Sequence, residues 1–532
     1  MAQQRRVQLS TQRPTSTVCV LGTELALDVC GCAPRGCSSF QAQGTPGVKL
    51  WVVHEARSVK LPSSVSCWPL ATRPELLLAM DAPSADVGDE KVRISYFREA
   101  GGVPVARAVL YVTCVEVSLE ADVNRSGAVS RTLLDKTSWT WGPDGHGAVL
   151  LVNCDRDDPG AGSPDCRDTT VRSYEDLQDM SQLLLRTRGP GAIFARHTLL
   201  LHLDCGDAHR LGVFYGGNAV APEQFQHVLG GPRLSFALRP RQRHPESLFY
   251  IEALAFPDRA FPGLVSIHAT LLDSPEQGSL EAPLFTDSVM FRVAPWIMTP
   301  NTASPLEVFV CSVEGNDAFV GSVAALAERA QCPLTVCPPP QNRQDRWIQD
   351  EMEFGYVQAP HKTFPVVFDS PRDRGLKDFP VKSILVPPLP RKPQKPCPET
   401  PKNPFSPRVS GMGKPGLGNP KTSGEIPLIV AFFQPFPPIF NPFSPIFPAI
   451  SPLGGRRMAQ AVRDFLGAQQ VQAPVELFSA WLQVGHVDEF LTFVPAPDRK
   501  GFRLLLASPS ACFQLLRDKQ EEGFGEATMF QG

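Results

Sequence analysis

Hydrophobic residues recur in short runs over residues 1–295, and β-branched and aromatic side chains are frequent in those runs. Glycine, proline, aspartate and serine separate the runs, as they separate the strands of β-sandwiches. The pattern predicts an all-β region, divided near residue 118 into sandwiches of residues 1–118 and 119–295. The strands predicted from it are Thr17–Leu21, Val48–Val53, Val92–Phe97, Val109–Val115, Ala148–Val152, Thr198–Leu203, Phe249–Leu254 and Val265–Leu271.

A different pattern follows Trp296, because apolar residues there repeat at helical spacing as well as in buried runs. A helix, a strand and an acidic cluster follow one another in that order, and the order occurs twice. We therefore predict an internally repeated α/β domain over residues 296–532, with its charged sites at corresponding strand ends. The predicted elements are the strands Leu306–Val313, Pro333–Cys337 and Val475–Phe478 and the helices Asp317–Gln331, Arg456–Gly467 and one capped by Ser508.

Proline is concentrated in one segment of this domain. Of the 54 prolines in the chain, 19 lie between Ile384 and Pro452, where the only acidic residues are Glu399 and Glu425. Alternating phenylalanine and proline, as in Phe433–Pro438, supports neither a helix nor a central strand. The composition predicts a disordered or extended insertion over residues 384–452.

The net charge of −3 gives no reason to expect nucleic acid as an obligatory partner. No apolar run of the signal-peptide type follows the two N-terminal arginines, and proline interrupts the most apolar stretch, Ile426–Ile450. We therefore expect an intracellular, cytoplasmic protein without a membrane partner, whose 14 cysteines are free thiols. A nuclear location stays open, since Arg391, Lys392 and Lys395 form too short a basic run to argue for import.

Two short acidic clusters, Asp345–Glu353 and Gly485–Phe490, carry the candidate chemistry. Both place carboxylates beside large apolar residues, where a buried charge is costly unless a cation lies next to it. A guanidinium suits two facing aspartates, because it is planar and donates paired hydrogen bonds. His486 adds a side chain that exchanges a proton near neutral pH. Taken alone, an acidic residue of this kind more often pairs with a neighbouring arginine, and such a histidine is more often structural.

A further set of acidic residues follows the strand predicted at Ala148–Val152, and its first members occupy alternate positions. So many carboxylates repel one another unless hard cations lie between them, and calcium binds about six to eight oxygen atoms of this kind. The spacing does not match an EF-hand, because Cys166 falls at the twelfth position. On composition alone, a solvated acidic loop explains the segment equally well. The set consists of Asn153, Asp155, Asp157, Asp165, Asp168, Asp176 and Asp179.

The acidic clusters at Asp345–Glu353 and Gly485–Phe490, in this order and context, resemble those of the protein-arginine deiminases. Three longer segments, Val293–Thr302, Val366–Arg372 and Arg463–Pro474, show the same resemblance. The likeness extends over the chain up to about residue 383 and resumes after the insertion. Segment lengths are nearest to those of the type-4 isozymes of this family.

This resemblance implies a multidomain fold of two immunoglobulin-like sandwiches followed by a five-bladed α/β propeller of the pentein, amidinotransferase-like type. It also implies calcium-dependent hydrolysis of peptidyl arginine to peptidyl citrulline and ammonia. The implied partners are protein substrates with an accessible arginine, and the implied assembly is a homodimer. The repeated order of helix, strand and charged site agrees with a propeller.

By the same resemblance, Asp350 and Asp488 hold the substrate guanidinium, and His486 is the acid and base of the reaction. Two carboxylates fix the guanidinium carbon for attack, while the imidazole protonates the leaving ammonia and then activates water. One further residue matches an apolar wall against the arginine stem, and two match groups that hold the substrate's backbone carbonyls. These substrate-binding residues are, in that order, Trp347, Arg372 and Arg374.

The resemblance also assigns calcium ligands. It places them at the acidic set that begins with Asn153, with Glu252 beside it, and at a second group around Asp350. Metal binding at the second group can order the loop that presents Asp350 and Trp347, so that calcium acts as a switch and not as the electrophile. The second group consists of Gln349, Glu351, Glu353, Asp369, Ser370 and Asp373.

The resemblance is incomplete at the nucleophile. The family's nucleophilic cysteine lies beyond Gly532, and Cys512, the only cysteine after the insertion, is predicted to be a packed helical thiol. We therefore expect a truncated propeller and a chain that does not turn over substrate as given. The alternatives are a non-catalytic calcium-binding or scaffolding variant and, from another class, a calcium-binding adhesion module of β-sandwiches.

Overall fold

Strands predominate in the computed structural model of this chain, as the hydrophobic pattern predicts. Among the residues described, no helix is long and apolar enough to cross a lipid bilayer, and every cysteine is a free thiol. The residues described are 5–55, 57–62, 67–155, 157, 164–238, 245–273, 282–300, 302–384, 429–431, 459–479, 481–498 and 501–528.

The N-terminal region is built from two sheets that share one hydrophobic core. Its strands are β1 (Arg6–Gln8), β2 (Thr15–Val20), β3 (Leu25–Asp28), β4 (Ser39–Gly44), β5 (Val48–His54), β6 (Arg57–Leu61), β7 (Trp68–Pro69), β8 (Glu75–Met80), β9 (Glu90–Phe97) and β10 (Ala106–Glu120). The first sheet has the order β1-β3-β8-β5-β6, and the other strands belong to the second sheet. Alternate residues of β8 are buried, so that Leu76 and Leu78 lie in one core with Phe40 and Ile94 of the second sheet.

The middle region adds a further layer of strands and two short helices. Its elements are β11 (Ala148–Leu150), β12 (Ser181–Arg188), β13 (Thr198–Leu203), β14 (Leu211–Tyr215), β15 (Gln226–Leu229), β16 (Ser235–Leu238), β17 (Glu246–Ala253), β18 (Leu264–Leu272) and β19 (Pro283–Val293), α1 (Tyr174–Asp179) and α2 (Gly191–Arg196), with 3-10 turns at Asp165–Arg167 and Pro222–Gln224. One sheet has the order β11-β19-β18-β13-β16. The other, β15-β14-β17-β12-β10-β9-β4-β7, continues into the N-terminal region.

The long strand β10 connects the two regions. Its first half pairs with β9, and its last residues, Glu116 to Glu120, pair with β12. The strand also pairs in parallel with β2 between Leu110 and Val115. The division that the sequence places near residue 118 therefore falls inside one continuous strand, whose two halves belong to different cores.

The C-terminal region mixes helices and short sheets. Its strands are β20 (Ile297–Met298), β21 (Val308–Cys311), β22 (Leu334–Cys337), β23 (Met352–Gln358), β24 (Thr363–Asp369), β25 (Ile429–Ala431), β26 (Leu491–Pro495) and β27 (Phe502–Leu506). Its helices are α3 (Asp317–Arg329), α4 (Pro339–Asn342), α5 (Gln460–Gln469) and α6 (Pro509–Lys519), with 3-10 turns at Ile348–Glu351 and Val487–Glu489 and π-type turns at Pro380–Ile384 and Gln520–Phe524. The sheets are β20-β23-β24-β25, β21-β22 and β26-β27, and within the described ranges none of them closes.

Several sequence predictions for this region are confirmed and one is wrong. Helix α3, strand β22 and helix α6 form as predicted, and the Ser508 hydroxyl accepts a hydrogen bond from the Ala511 amide at 3.3 Å. Residues 475–478, predicted as a strand, form none, because no described strand pairs with them. The predicted insertion of residues 384–452 lies outside the described residues, apart from its first residue and β25, which pairs in parallel with β24.

The buried side chain of Trp296 fastens the C-terminal region to the middle region. Its backbone amide donates to Gln469 Oε1 at 2.9 Å, and its indole Nε1 donates to the Val366 carbonyl at 3.2 Å. The ring packs against Phe368 and Phe465, which belong to the same core as the middle region. A Cβ atom at Gly355 would lie 2.2 Å from the indole nitrogen, so that only glycine fits there. These contacts join helix α5 and the β23–β24 hairpin to Trp296, and the Gln469 side chain of α5 reaches the middle region by donating to the Pro257 carbonyl at 2.8 Å.

Candidate functional site

A 3-10 turn and one hairpin bring the first acidic cluster together. The turn Ile348–Glu351 leads directly into β23, and the register of the hairpin sets Met352 opposite Asp369 at the end of β24. The Ser370 amide then donates to the Glu351 carbonyl at 2.8 Å. The residues before β23 and after β24 are therefore neighbours, although about twenty positions separate them in the chain.

The guanidinium of Arg372 lies at the centre of this cluster. Its Nη2 atom is 3.7 Å from Asp350 Oδ2 and 3.8 Å from Asp345 Oδ1, and its Nη1 atom is 3.7 Å from Glu351 Oε2. Nη1 also donates a hydrogen bond to the Trp347 carbonyl at 2.9 Å. The structure thus shows Asp350 in an ion pair with an arginine of the protein itself, which is the alternative to substrate binding that the sequence leaves open for a lone acidic residue.

The cluster has an exposed side and a buried side. Trp347 is 56% exposed and Asp350 is also accessible to solvent, whereas Glu351 is 0% exposed. Burial raises the pKa of Glu351 to about 7 and that of Asp369 to about 6, and repulsion between the two carboxylates adds to the shift of Glu351. Both oxygens of Glu351 and Oδ1 of Asp369 have no hydrogen-bond partner among the described residues. A hard cation between them would meet oxygen ligands of the kind that calcium prefers.

The other predicted ligands of this group lie further out. Ser370 is near Glu351 through its backbone, and its Oγ atom accepts from the Arg372 amide at 3.3 Å. The side chains that remain are exposed, and the one at position 373 pairs with Lys377 at 3.1 Å. The exposed members are Gln349, Glu353 and Asp373, together with the predicted substrate residue Arg374.

The second cluster forms a separate 3-10 turn. His486 precedes the turn Val487–Glu489, and its backbone amide donates to Glu489 Oε1 at 2.9 Å. Its imidazole Nδ1 lies 3.9 Å from the same oxygen and the side chain is exposed. Asp488 is exposed as well, and no described residue forms a hydrogen bond or ion pair with its carboxylate.

The described contacts do not connect the two clusters. No hydrogen bond, ion pair or ring contact of the described residues joins Asp345–Glu353 to Gly485–Phe490. The slot formed by Asp350, Asp488 and His486 therefore stays a prediction. Cys512, predicted to be packed, is exposed on α6. Phe513 and Leu515 of the same helix are exposed as well, so none of the described residues covers this part of α6.

The acidic set of the middle region is the most deeply buried group of carboxylates in the described chain. It gathers at the end of β11, the turn Asp165–Arg167, helix α1 and strand β17. The Ser173 hydroxyl caps α1 by accepting from the Asp176 amide at 3.2 Å, which directs the acidic face of this short helix inward. The buried members are Asn153, Asp155, Asp165, Asp176, Asp179 and Glu252, and Asp157 is partly buried.

Distances within this set fit a shared cation. Asp155, Asp157 and Asp179 offer oxygen atoms that all lie within 4.8 Å of one another. Asn153 Nδ2 donates to Asp176 Oδ1 at 2.7 Å, which joins a further carboxylate to the group. Asp168 lies at the edge, where its carboxylate pairs with Arg172 at 3.2 Å.

Several oxygens of the set have no hydrogen-bond partner among the described residues. They include Asn153 Oδ1, both carboxylate oxygens of Asp155 and Glu252 Oε2. Burial raises the pKa of Asp157 to about 7, and it raises that of Glu252 well above its usual range. Buried anions without partners are costly, and a divalent cation with oxygen ligands removes that cost. The residues present therefore fit calcium.

Sequence reasoning missed one residue of this site, Lys362. It lies in the turn between β23 and β24, and its ammonium group forms an ion pair with Asp179 Oδ1. A lysine in a turn between two strands is ordinarily solvent-exposed, so the sequence offers no signal that this one reaches a buried carboxylate of another region.

Three family profiles match the chain in order. The N-terminal domain of protein-arginine deiminase matches residues 1–113, the middle domain matches residues 115–273, and the profile named protein-arginine deiminase matches residues 283–391 and 448–532. The unmatched gap between residues 391 and 448 falls inside the predicted insertion.

Curated relatives match over the whole chain. Human protein-arginine deiminase type-3 is 48% identical over 536 residues, human type-1 is 47% identical over 551 residues, and human type-4 is 46% identical over 544 residues. Each alignment covers 100% of this chain and 78% of the relative. The type-4 isozyme is thus among the near relatives, as predicted from segment lengths. Among solved structures, the C-terminal domain of the Streptococcus agalactiae polypeptide BspA covers 53% of this chain and 96% of its own at 11% identity and a TM-score of 0.16, which carries no argument about fold.

Proposed function

Because this chain belongs to the protein-arginine deiminase family, we propose that it acts in the calcium-dependent hydrolysis of peptidyl arginine to peptidyl citrulline and ammonia. The observation that carries the proposal is the exposure of Asp350 beside Trp347, the two residues that match the family's guanidinium-binding carboxylate and apolar wall. It supports a role for Asp350 in holding a guanidinium at an exposed position, where a protein substrate can reach it. The partners we propose are proteins with an accessible arginine.

The proposed roles of the reacting groups follow from their chemistry. Asp350 and Asp488 hold the guanidinium from two sides and so fix its central carbon for attack. His486 donates a proton to the departing ammonia and afterwards accepts a proton from water. Trp347, which is exposed beside Asp350, covers the apolar stem of the arginine, and Arg374 is free of described ion pairs and can hold a substrate carbonyl.

We propose two calcium-binding sites. The first is the buried set around Asp155, whose oxygens without hydrogen-bond partners support it. The second lies between Glu351 and Asp369, next to the turn that carries Asp350. When bound there, calcium supplies positive charge that orders this turn, and the residues of the turn then present Asp350 and Trp347 to the substrate.

A non-catalytic calcium-binding or scaffolding role is the second candidate. It is favoured by the lack, among the described residues, of a hydrogen bond or ion pair between Asp350 and the segment of His486 and Asp488. Cys512, the only thiol that follows the insertion in the sequence, also forms no described hydrogen bond with either group. In this reading the buried calcium ligands are retained while substrate is not turned over.

One assay separates the two candidates. The purified chain is incubated with an arginyl peptide, with and without calcium, and citrulline release is measured. Release that requires calcium and is lost in Asp350→Asn supports the deiminase, because the amide no longer neutralises a guanidinium. The exposed Asp135, remote from the site in sequence, gives the matched control Asp135→Asn, which should retain activity.

Calorimetric titration with calcium completes the test. Calcium binding without citrulline release indicates the non-catalytic candidate. The absence of both contradicts the two candidates together.

We also propose an immunoglobulin-like sandwich, a propeller and a cytoplasmic location. Two sheets that share a core in the N-terminal region support the immunoglobulin-like sandwich, and the mixture of helices and short sheets after Trp296 supports a propeller. The free thiols of the described residues support a reducing compartment such as the cytoplasm.

A further inference from the structure

The turn between β23 and β24 reaches from the C-terminal region into the acidic set of the middle region. Reciprocal backbone hydrogen bonds close the turn, from the Ala359 amide to the Lys362 carbonyl at 2.8 Å and from the Lys362 amide to the Ala359 carbonyl at 3.3 Å. From this closed turn the Lys362 side chain extends to Asp179, which is 0% exposed, and forms an ion pair with it. A cation of one region thus lies against a buried anion of another.

The charge of Lys362 also acts on the neighbours of Asp179. Asp155, Asp157 and Asp179 share one small space, with oxygens within 4.8 Å of one another. Burial raises the pKa of Asp155 and of Asp157, and the positive charge of Lys362 opposes the shift in both. Lys362 therefore partly neutralises the same three carboxylates that fit a calcium ion.

We propose that Lys362 is a built-in counter-cation of this acidic set, which calcium has to displace from Asp179 in order to bind. The proposal rests on the calcium binding proposed above and adds its regulation. Two cations cannot occupy one carboxylate at contact distance without strong repulsion in a poorly solvated site. The lysine consequently competes with the metal, and the strength of its ion pair sets the calcium concentration at which the site fills.

The position of Lys362 gives this competition a mechanical consequence. The strands on either side of the turn are seven residues long, and their far ends carry Glu351 and Asp369. Displacement of Lys362 releases the turn from Asp179 while the hairpin stays anchored through Val366 and Trp296. The same hairpin therefore contacts both proposed calcium sites. When calcium fills the site around Asp155, the hairpin turn loses its ion pair with Asp179.

A cleft gives ions and reagents access to the turn. It has a volume of about 680 Å³ and is lined by His361, Lys362, Gln178 and Ser181 together with apolar residues of the middle region. Because Lys362 itself lines the cleft together with Gln178, the chain neighbour of Asp179, the displaced ammonium group has solvent to move into. Lys362 is thus able to leave its partner without unfolding of the hairpin.

Chemical labelling of lysine amines tests the displacement directly. The whole chain is treated with acetic anhydride at rising calcium concentration, and acetylation of each lysine is quantified by mass spectrometry. Lys362 should react slowly without calcium, because its ammonium group is paired with a buried carboxylate, and faster once calcium binds. Lys49, which pairs with Asp81 at the surface, is the internal reference and should not change. A rate for Lys362 that stays constant while calcium binds overturns the proposal.

Affinity measurements on variants give a second, independent readout. Lys362→Gln should lower the calcium concentration at half-saturation, by about tenfold, since that is the scale of one buried ion pair. Lys362→Arg, which keeps the charge, should behave like the unaltered chain, and Lys49→Gln should have no effect.

The outcomes separate this inference from the proposed function. If the unaltered chain binds no calcium by calorimetry, the proposed calcium binding fails. If it binds calcium but Lys362→Gln binds equally or more weakly, the competition fails and the calcium site stands. Far-ultraviolet circular dichroism establishes that each variant is folded, and the labelling of the unaltered chain decides the question if a variant is not.

Discussion

At the scale of single residues, one guanidinium organises the cluster around Asp350. Arg372 pairs with Asp345, Asp350 and Glu351. Because Glu351 is fully buried, it depends on this cation more than the exposed Asp350 does. The role that the family resemblance assigns to Arg372, holding a substrate carbonyl, therefore competes with a structural role within the protein.

Replacement of Arg372 by alanine tests this structural role. We expect the free energy of unfolding to fall by about 1–3 kcal/mol, because the change leaves a buried carboxylate without a partner. Urea denaturation followed by circular dichroism measures the loss. The neighbouring Arg374 is exposed and forms no described ion pair, so Arg374→Ala should change the same quantity by less than about 0.5 kcal/mol. Equal losses in the two variants would contradict the assignment.

At the scale of elements, one hairpin and one helix position the candidate site. The β23–β24 hairpin carries the Asp350 cluster at one end and Lys362 at the other. Helix α5 holds this hairpin against the middle region, because Phe465 packs on Phe368 of the hairpin and on Phe256 of the middle region. The short turn Ile348–Glu351 is held differently, by Ile348 packing against a small core of the C-terminal region and by the Arg372 hydrogen bond to the Trp347 carbonyl.

The packing of α5 can be tested by removing an aromatic ring. Phe465→Ala should lower the free energy of unfolding by about 3–5 kcal/mol, since it opens a cavity in a shared core. A matched control is Phe513→Ala on α6, whose side chain is 62% exposed, and we expect a change below about 1 kcal/mol. Thermal and urea denaturation give the two values, and a small effect at Phe465 would show that α5 does not hold the hairpin.

Ordering of the turn by calcium should be visible in tryptophan fluorescence. Trp347 is exposed at the start of this turn, so a change in its surroundings shifts the emission. We expect a saturable transition on calcium titration that is reduced in Trp347→Phe. Trp68, which is buried in the core of the N-terminal region, serves as the comparison, and Trp68→Phe should leave the transition in place. A flat response of the unaltered chain would argue against a calcium-ordered turn.

At the scale of the whole molecule, charge is unevenly distributed between its regions. The middle region buries six residues of the acidic set, and the C-terminal region supplies the lysine that partly neutralises them. Stability of the assembled chain therefore depends on cations more than the net charge of −3 indicates. The ion pair of Lys362 with Asp179 joins the two regions directly.

Removal of calcium is the corresponding test. A ligand that binds only the folded state at about 100 times its dissociation constant stabilises it by about 2.7 kcal/mol. We expect the midpoint of thermal unfolding to rise with added calcium and to fall with a chelator. Asp155→Asn should abolish most of this response, whereas the exposed Asp135→Asn should retain it. Magnesium at equal concentration should be less effective, since it demands a tighter octahedral arrangement.

Much of the element structure follows from local sequence. Strand β13 and helices α3 and α6 form where alternation, helical periodicity and capping predict them. Residues 475–478 are an exception, because an apolar run forms a strand only where another strand is available for pairing. The division predicted at residue 118 falls inside β10 for a similar reason. The strands that pair with β10 are decided by the assembly of the sheet and not by the local sequence.

The sequence by itself determined which residue types are present for chemistry, where most of the strands and helices lie, and to which family the chain belongs. The burial of Asp179, the central place of Arg372 and the reach of Lys362 were decided only by the tertiary structure. The physical reason is that the energy of a charge depends on its solvation and on the charges around it. Both are set by residues that are distant along the chain and become neighbours only when the regions pack together.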